Sequence, residues 1–169
     1  LIFCEYINEI HLLQKELEKV SILNDVIKGS ISQKKREQII QDCRDQKINT
    51  LILQINTAAV GLNLQFANRI YFVSPTYNPT LELQAIARAH RIGQTKPVYV
   101  TKYISTIDTD STVDERKLEI QEVKNDTIQN FLKDVSPIIT HRSNHIRICS
   151  SGVITDKYSD PILSVSNIK

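Results

Sequence analysis

The chain has 169 residues, enough for one domain with a small appendage that buries roughly 70% of its unfolded surface. Lys and Arg number 21 against 19 Asp and Glu, a formal charge of +2, so bulk electrostatics does not mark a nucleic-acid binder and any such contact must come from local placement. Three scattered cysteines, Cys4, Cys43 and Cys149, argue against a disulfide framework, and no apolar run is long enough for a membrane span, so an intracellular protein with no membrane partner is expected.

The chain lacks methionine and begins directly on an apolar strand, Leu1 to Cys4, which suggests a piece of a longer polypeptide. Ile7, Ile10, Leu13 and Leu17 then follow helical spacing. Val26 and Ile27 form a second strand ending at Gly29-Ser30, and Ser32 caps a helix whose inward face carries Ile39, Ile40 and Cys43. Lys34 and Lys35 at its start suit either a solvated helix end or nonspecific attraction to phosphate. Leu51 to Ile55, Arg69 to Ser74 and Val98 to Ile104 are three further strands. Five short strands alternating with helical or loop segments predict an α/β fold with a mostly parallel sheet, and ligands in such sheets bind beyond the carboxyl ends of the strands.

Between the fourth and fifth strands lies Asn78 to Gln94, N-P-T-L-E-L-Q-A-I-A-R-A-H-R-I-G-Q. Asn78 is a good N-cap, Pro79 suits the first helical position, Glu82 lies in the first turn and Gly93 is placed to end the element. At about 100° per residue, Gln84, Arg88 and Arg91 share one stripe, and Leu83, Ile86, Ala87 and His90 share an apolar one. Paired guanidinium forks suit phosphoryl charge; the plainer alternative is a solvated polar face, with His90 packed in the core. Thr112 and Glu115 form a capping box for a helix with Ile120, Val123, Ile128, Phe131, Leu132 and Val135 on its apolar stripe. Beyond Ser136 periodicity fades and an irregular tail is expected. His141, His145 and Cys149 recur every four residues, but neither a fourth ligand nor a credible helix supports a metal, and none is assigned. No phosphate-binding G-x-x-x-x-G-K-[ST] loop occurs, and Asp114-Glu115 belongs to a capping box rather than a strand end, so ATP hydrolysis by this chain alone is not expected.

The run Q-A-I-A-R-A-H-R-I-G-Q-T-K-P-V-Y-V resembles the last helicase motif of the Swi/Snf-like DNA-dependent ATPases. L-I-F-C-E-Y resembles the opening strand of that family's second motor lobe, G-S-I-S-Q-K-K-R-E the turn and helix after its next strand, and L-Q-I-N-T-A-A-V-G-L-N-L its penultimate motif. T-V-D-E-R-K-L-E-I-Q-E-V-K resembles the helix that braces the two lobes. The resemblance implies a RecA-like C-terminal helicase lobe over 1–110, a bracing helix over 111–135 and a tail over 136–169. It implies Arg91 as an arginine finger toward the γ-phosphate of ATP, with Arg88 beside it and Gln84 coupling the cleft to DNA. Gly61 and Asn63 are implied near the nucleotide, and Gly29, Ser30, Thr57 and Tyr77 against the backbone of double-stranded DNA. Tyr77 also suits simple packing at a strand end. ATP and Mg2+ are the implied substrate and cofactor, the metal and phosphate cradle lying on an N-terminal lobe, with nucleosomes or the transcription machinery as further partners in the nucleus or another DNA-containing compartment. Ala58, Ala59 and Ala87 stand where relatives often have glycine, which keeps open a lobe retained only for DNA or protein docking. A viral-type nucleoside triphosphatase acting in transcription would share the same motor chemistry.

Overall fold

A computed structural model describes residues 1–59, 61–107, 111–135, 147–148, 154–155 and 163–168. The elements run β1 (Ile2–Cys4), α1 (Ile7–Lys19), β2 (Asn24–Ile27), α2 (Gln33–Arg44), β3 (Thr50–Gln54), a 3₁₀ turn (Ile55–Ala59), β4 (Arg69–Phe72), α3 (Pro79–Ala89), β5 (Tyr99–Ser105) and α4 (Val113–Val135). Three short strands follow, β6 (Arg147–Ile148), β7 (Ile154–Thr155) and β8 (Leu163–Ile168). The main sheet has the order β2-β3-β1-β4-β5-β8 and every pairing in it is parallel. The expected five-strand α/β sheet is present; β6 and β7 form a separate antiparallel pair. His141, His145 and Cys149 lie outside the described residues.

Side chains alternate across the sheet with period two, as a sheet covered on both faces requires. Phe3, Ile27, Leu51, Leu53, Ile70, Phe72 and Val100 join Ile39, Ile40 and Cys43 of α2 and Ala85 and Ala89 of α3 on one face. Cys4, Val26 and Ile52 point the other way and meet Ile10 of α1, whose complete burial is worth roughly 1.5–3 kcal/mol. Over β4 and β5 that second face is an open groove lined by Ile2, Leu13, Tyr71, Val73 and Tyr103.

The helix starts follow the expected chemistry. The Asn78 side chain accepts from the Thr80 amide at 3.1 Å with Pro79 at the first turn, and Ser32 accepts from the Lys35 amide at 3.4 Å. The Thr112–Glu115 box closes in both directions, at 2.7 and 3.1 Å.

The stretch L-S-V-S-N-I within the tail is not irregular but pairs along β5 as β8.

Candidate functional site

Because the strands are parallel, their carboxyl ends share one edge, and the segments leaving that edge carry many of the singled-out residues. Gly29 and Ser30 follow β2 and are exposed; the 3₁₀ turn with Thr57 follows β3; Glu5 and Tyr6 follow β1; and Tyr77, 45% exposed, follows β4. Thr57 is placed there differently from expectation. Its side chain is buried and its hydroxyl donates to the Gln54 carbonyl at 2.6 Å, so that hydroxyl closes the turn and is not presented to a DNA backbone.

From this edge α3 runs back antiparallel to the strands. Its inward face is Glu82, Ala85 and Ala89, with Leu81 and Ile86 partly covered. The predicted apolar stripe of Leu83, Ala87 and His90 is therefore wrong by about a third of a turn: all three are exposed. The reason is Glu82, which a simple hydrophobic pattern assigns to solvent. Its carboxylate accepts from the Thr76 amide at 2.9 Å and from Gln121 Nε2 at 2.8 Å, and pairs with Lys102 Nζ at 2.5 Å. A paired carboxylate can be buried, and this one rotates the helix.

The helix also ends earlier than predicted. Ala89 is its last residue and His90 its C-cap, the His90 amide donating to the Ile86 carbonyl at 2.8 Å. Arg91 thus lies in the following turn, completed by Gly93 at φ +99°, a backbone conformation that favours glycine. Gln84 is exposed on α3, Arg88 is half-buried in its last turn and Arg91 is exposed; among the described residues the Arg91 guanidinium meets no carboxylate.

What holds Arg88 and Arg91 in place is the connection from the 3₁₀ turn to β4, residues 61–68. It doubles back along the end of α3 and is stapled to it. The Leu64 amide donates to the Arg88 carbonyl at 3.0 Å, and Gln65 Nε2 donates to the Ile92 carbonyl at 2.6 Å. Gln94 Nε2 returns the link, lying 2.9 Å from the Gln65 carbonyl and 3.2 Å from those of Ala67 and Ala89. Asn63, exposed one residue before the Arg88 staple, turns its carboxamide oxygen onto the Gln65 amide at 3.2 Å. Gly61, at φ +41°, starts the segment in a conformation where a Cβ is disfavoured. Asn63, Arg88 and Arg91 thereby lie on two stapled segments, the first of which starts at Gly61, while Gly29, Ser30 and Tyr77 belong to the strand-end edge. Gln65 and Gln94, which join the two segments, carry no pattern that would single them out in a sequence.

The carboxylates near these segments are committed elsewhere. Glu5 pairs with Lys117, Glu9 accepts from the Glu5 and Tyr6 amides, and Glu82 pairs with Lys102. Among the described residues no group of three or more His, Cys, Asp or Glu could hold a metal. These residues do not fit a Mg2+ site.

Helix α4 packs beside α3 and β5. Gln121 donates to the Thr76 carbonyl at 2.5 Å, and Lys124 donates to the Tyr77 carbonyl at 2.7 Å. Among the described residues no helix is long and apolar enough to cross a membrane.

Comparison with known proteins gives a consistent picture. The family model described as the helicase conserved C-terminal domain matches residues 1–93. The DNA repair protein rad8 of Schizosaccharomyces pombe is 38% identical over 125 residues, covering 73% of this chain and 11% of that protein. The DNA repair protein RAD5 of Yarrowia lipolytica is 32% identical over 123 residues, covering 73% and 12%. Among solved structures, the C-terminal part of the Fun30 ATPase domain superposes with a TM-score of 0.60 at 24% identity, covering 76% of this chain and 47% of that one, a likeness of fold. The chain spans about a tenth of the length of these curated relatives.

Proposed function

The chain belongs to the helicase conserved C-terminal domain family, as the C-terminal lobe of a Swi/Snf-like ATPase, and from that premise we propose that it is the second motor lobe of an ATP-dependent translocase on double-stranded DNA. The observation that carries the reading is the staple between residues 64–67 and the end of α3, which brings the segment holding Gly61 and Asn63 against the segment holding Arg88 and Arg91.

In this reading Arg91, on its glycine-terminated turn, meets the γ-phosphate of ATP bound at a cleft with an N-terminal lobe. Arg88 supports it, and Gly61 and Asn63 line the nucleotide side. A guanidinium brought to developing phosphoryl charge is worth about 10³–10⁵ in rate in other phosphoryl-transfer enzymes. Mg2+ and the phosphate cradle are assigned to the other lobe. Gly29 and Ser30 offer backbone and hydroxyl donors to DNA phosphates, Tyr77 its ring, and Thr57 the backbone of its turn rather than its hydroxyl. Gln84, exposed midway along α3, is assigned the coupling of the two regions. Closure on ATP would shift the strand-end edge along the DNA backbone, and opening after hydrolysis would reset it. By analogy with the DNA repair relatives, the work belongs in the nucleus or another DNA-containing compartment.

The alternative, a docking module without turnover, rests on Ala58, Ala59 and Ala87. Ala87 is exposed on α3, so the core gives no reason for glycine there. ATP turnover by the complete polypeptide, measured with and without duplex DNA, separates the two. The motor reading expects turnover that rises on adding DNA; DNA binding with no turnover in either condition would establish the module instead.

A further inference from the structure

Lys117 is 1% exposed, on α4, and none of the chemistry above uses it. Burying an ammonium costs several kcal/mol unless it is paired, so its surroundings must compensate. They do so in an unusual way. Nζ pairs with Glu5 Oε2 at 2.5 Å, donates to Tyr6 Oη at 3.3 Å, and lies 5.1 Å from the Tyr6 ring centre and 5.2 Å from that of Tyr77. Both distances are within the range of cation–π attraction. Burial works against the charge, but the hydrogen bonds and charge interactions with Glu5 and Tyr6 together hold the pKa of Lys117 above its ordinary value.

The rings themselves remain open, Tyr6 at 49% and Tyr77 at 45% exposure. One ammonium within reach of both makes them neighbours at the strand-end edge, although 71 positions of the sequence separate them. Their backbones are held as well. The Tyr6 amide donates to Glu9 Oε2 at 3.0 Å, Ser74 Oγ donates to Glu9 Oε1 at 2.9 Å, and Lys124 holds the Tyr77 carbonyl. Rigid, half-open aromatic rings lose little entropy on contact, and their faces can press against the deoxyribose surfaces that a duplex presents between its phosphates. Lys117 also neutralises Glu5, a carboxylate that would otherwise repel phosphate at this edge.

We infer that Tyr6 and Tyr77 act together as a two-ring contact surface for duplex DNA, with buried Lys117 as the positioning residue that fixes both rings and cancels Glu5. This deepens the reading of the strand-end edge as the DNA side and rests on it. The test is duplex affinity of the complete polypeptide, read by fluorescence anisotropy. Tyr6→Leu weakens binding about fivefold or more, as Tyr77→Leu does, and Tyr6→Phe, which keeps the ring, restores most of it. Lys117→Met weakens binding when both tyrosines are present and weakens it clearly less in the Tyr6→Leu/Tyr77→Leu background, where only the uncovered Glu5 charge remains to act. Parent-like affinity in folded Tyr6→Leu, with Tyr77→Leu impaired, overturns the two-ring surface and leaves the DNA edge standing. An equal loss from Lys117→Met in both backgrounds overturns its positioning role. If neither tyrosine nor Ser30→Ala alters affinity, the edge assignment itself fails. Should Tyr6→Leu not fold, nitration of the unmodified protein decides: DNA protects both Tyr6 and Tyr77 if the inference holds, and protection of Tyr77 alone refutes it.

Discussion

Cys4 and Cys43 lie on opposite faces of the sheet, and both are buried. Burial pushes the Cys4 thiol up to about 12, with the Glu9 charge adding to it, and pushes Cys43 up to about 11. The unfolded chain loses these protons near the ordinary value of 9.0 while the folded one keeps them. Above that value the unfolded state binds fewer protons, so stability is intact below about pH 9 and falls as pH rises toward the folded values. Each thiol contributes a slope of at most about 1.4 kcal/mol per pH unit. Urea midpoints measured across the alkaline range should fall with pH and flatten in the Cys4→Ala/Cys43→Ala variant; an identical fall in that variant assigns the effect to other groups. At this scale a sequence shows which residues are apolar neighbours, and Cys43 could be placed inward beside Ile39 and Ile40. It does not show spending of polar groups: nothing in Q-I-N-T reveals that the Thr57 hydroxyl closes onto Gln54.

Helix starts were legible because N-capping is local: Asn78, Ser32 and the Thr112–Glu115 box each satisfy amides within three residues. The rotation of α3 was not. It depends on Lys102 from β5 and Gln121 from α4, which reach Glu82 only after the fold has formed. Removing one partner strands the other: Glu82→Ala should cost about 3–5 kcal/mol by urea denaturation, since Lys102 is then left paired with little beyond a 3.4 Å contact to Gln121. The Glu82→Ala/Lys102→Met variant should recover part of that loss. A cost below about 1 kcal/mol for Glu82→Ala would mean that water, not the carboxylate, compensates Lys102. The same long-range dependence explains why Arg91 was placed on the helix. Its true position in the turn is fixed by Gln65 and Gln94, and that pairing spans 29 residues of sequence.

Across the molecule, parallel topology and a returning connection divide the singled-out residues into two regions. Gly29, Ser30 and Tyr77 follow strand ends, whereas Asn63, Arg88 and Arg91 collect where residues 61–68 meet the end of α3. A rule that places every ligand beyond the strand ends would have merged them. In the motor reading proposed above these are the track and nucleotide surfaces of one lobe; Lys124 of α4 ties the Tyr77 backbone to the same body. The claim that binds this account together is that Arg91 completes a nucleotide site by acting on the transition state rather than by binding ATP. Single-turnover ATP hydrolysis by the complete polypeptide carrying Arg91→Ala, with ATP affinity measured alongside, addresses it most directly: the account predicts a rate lower by about 10³ or more with affinity little changed, and a parent-like rate would contradict it.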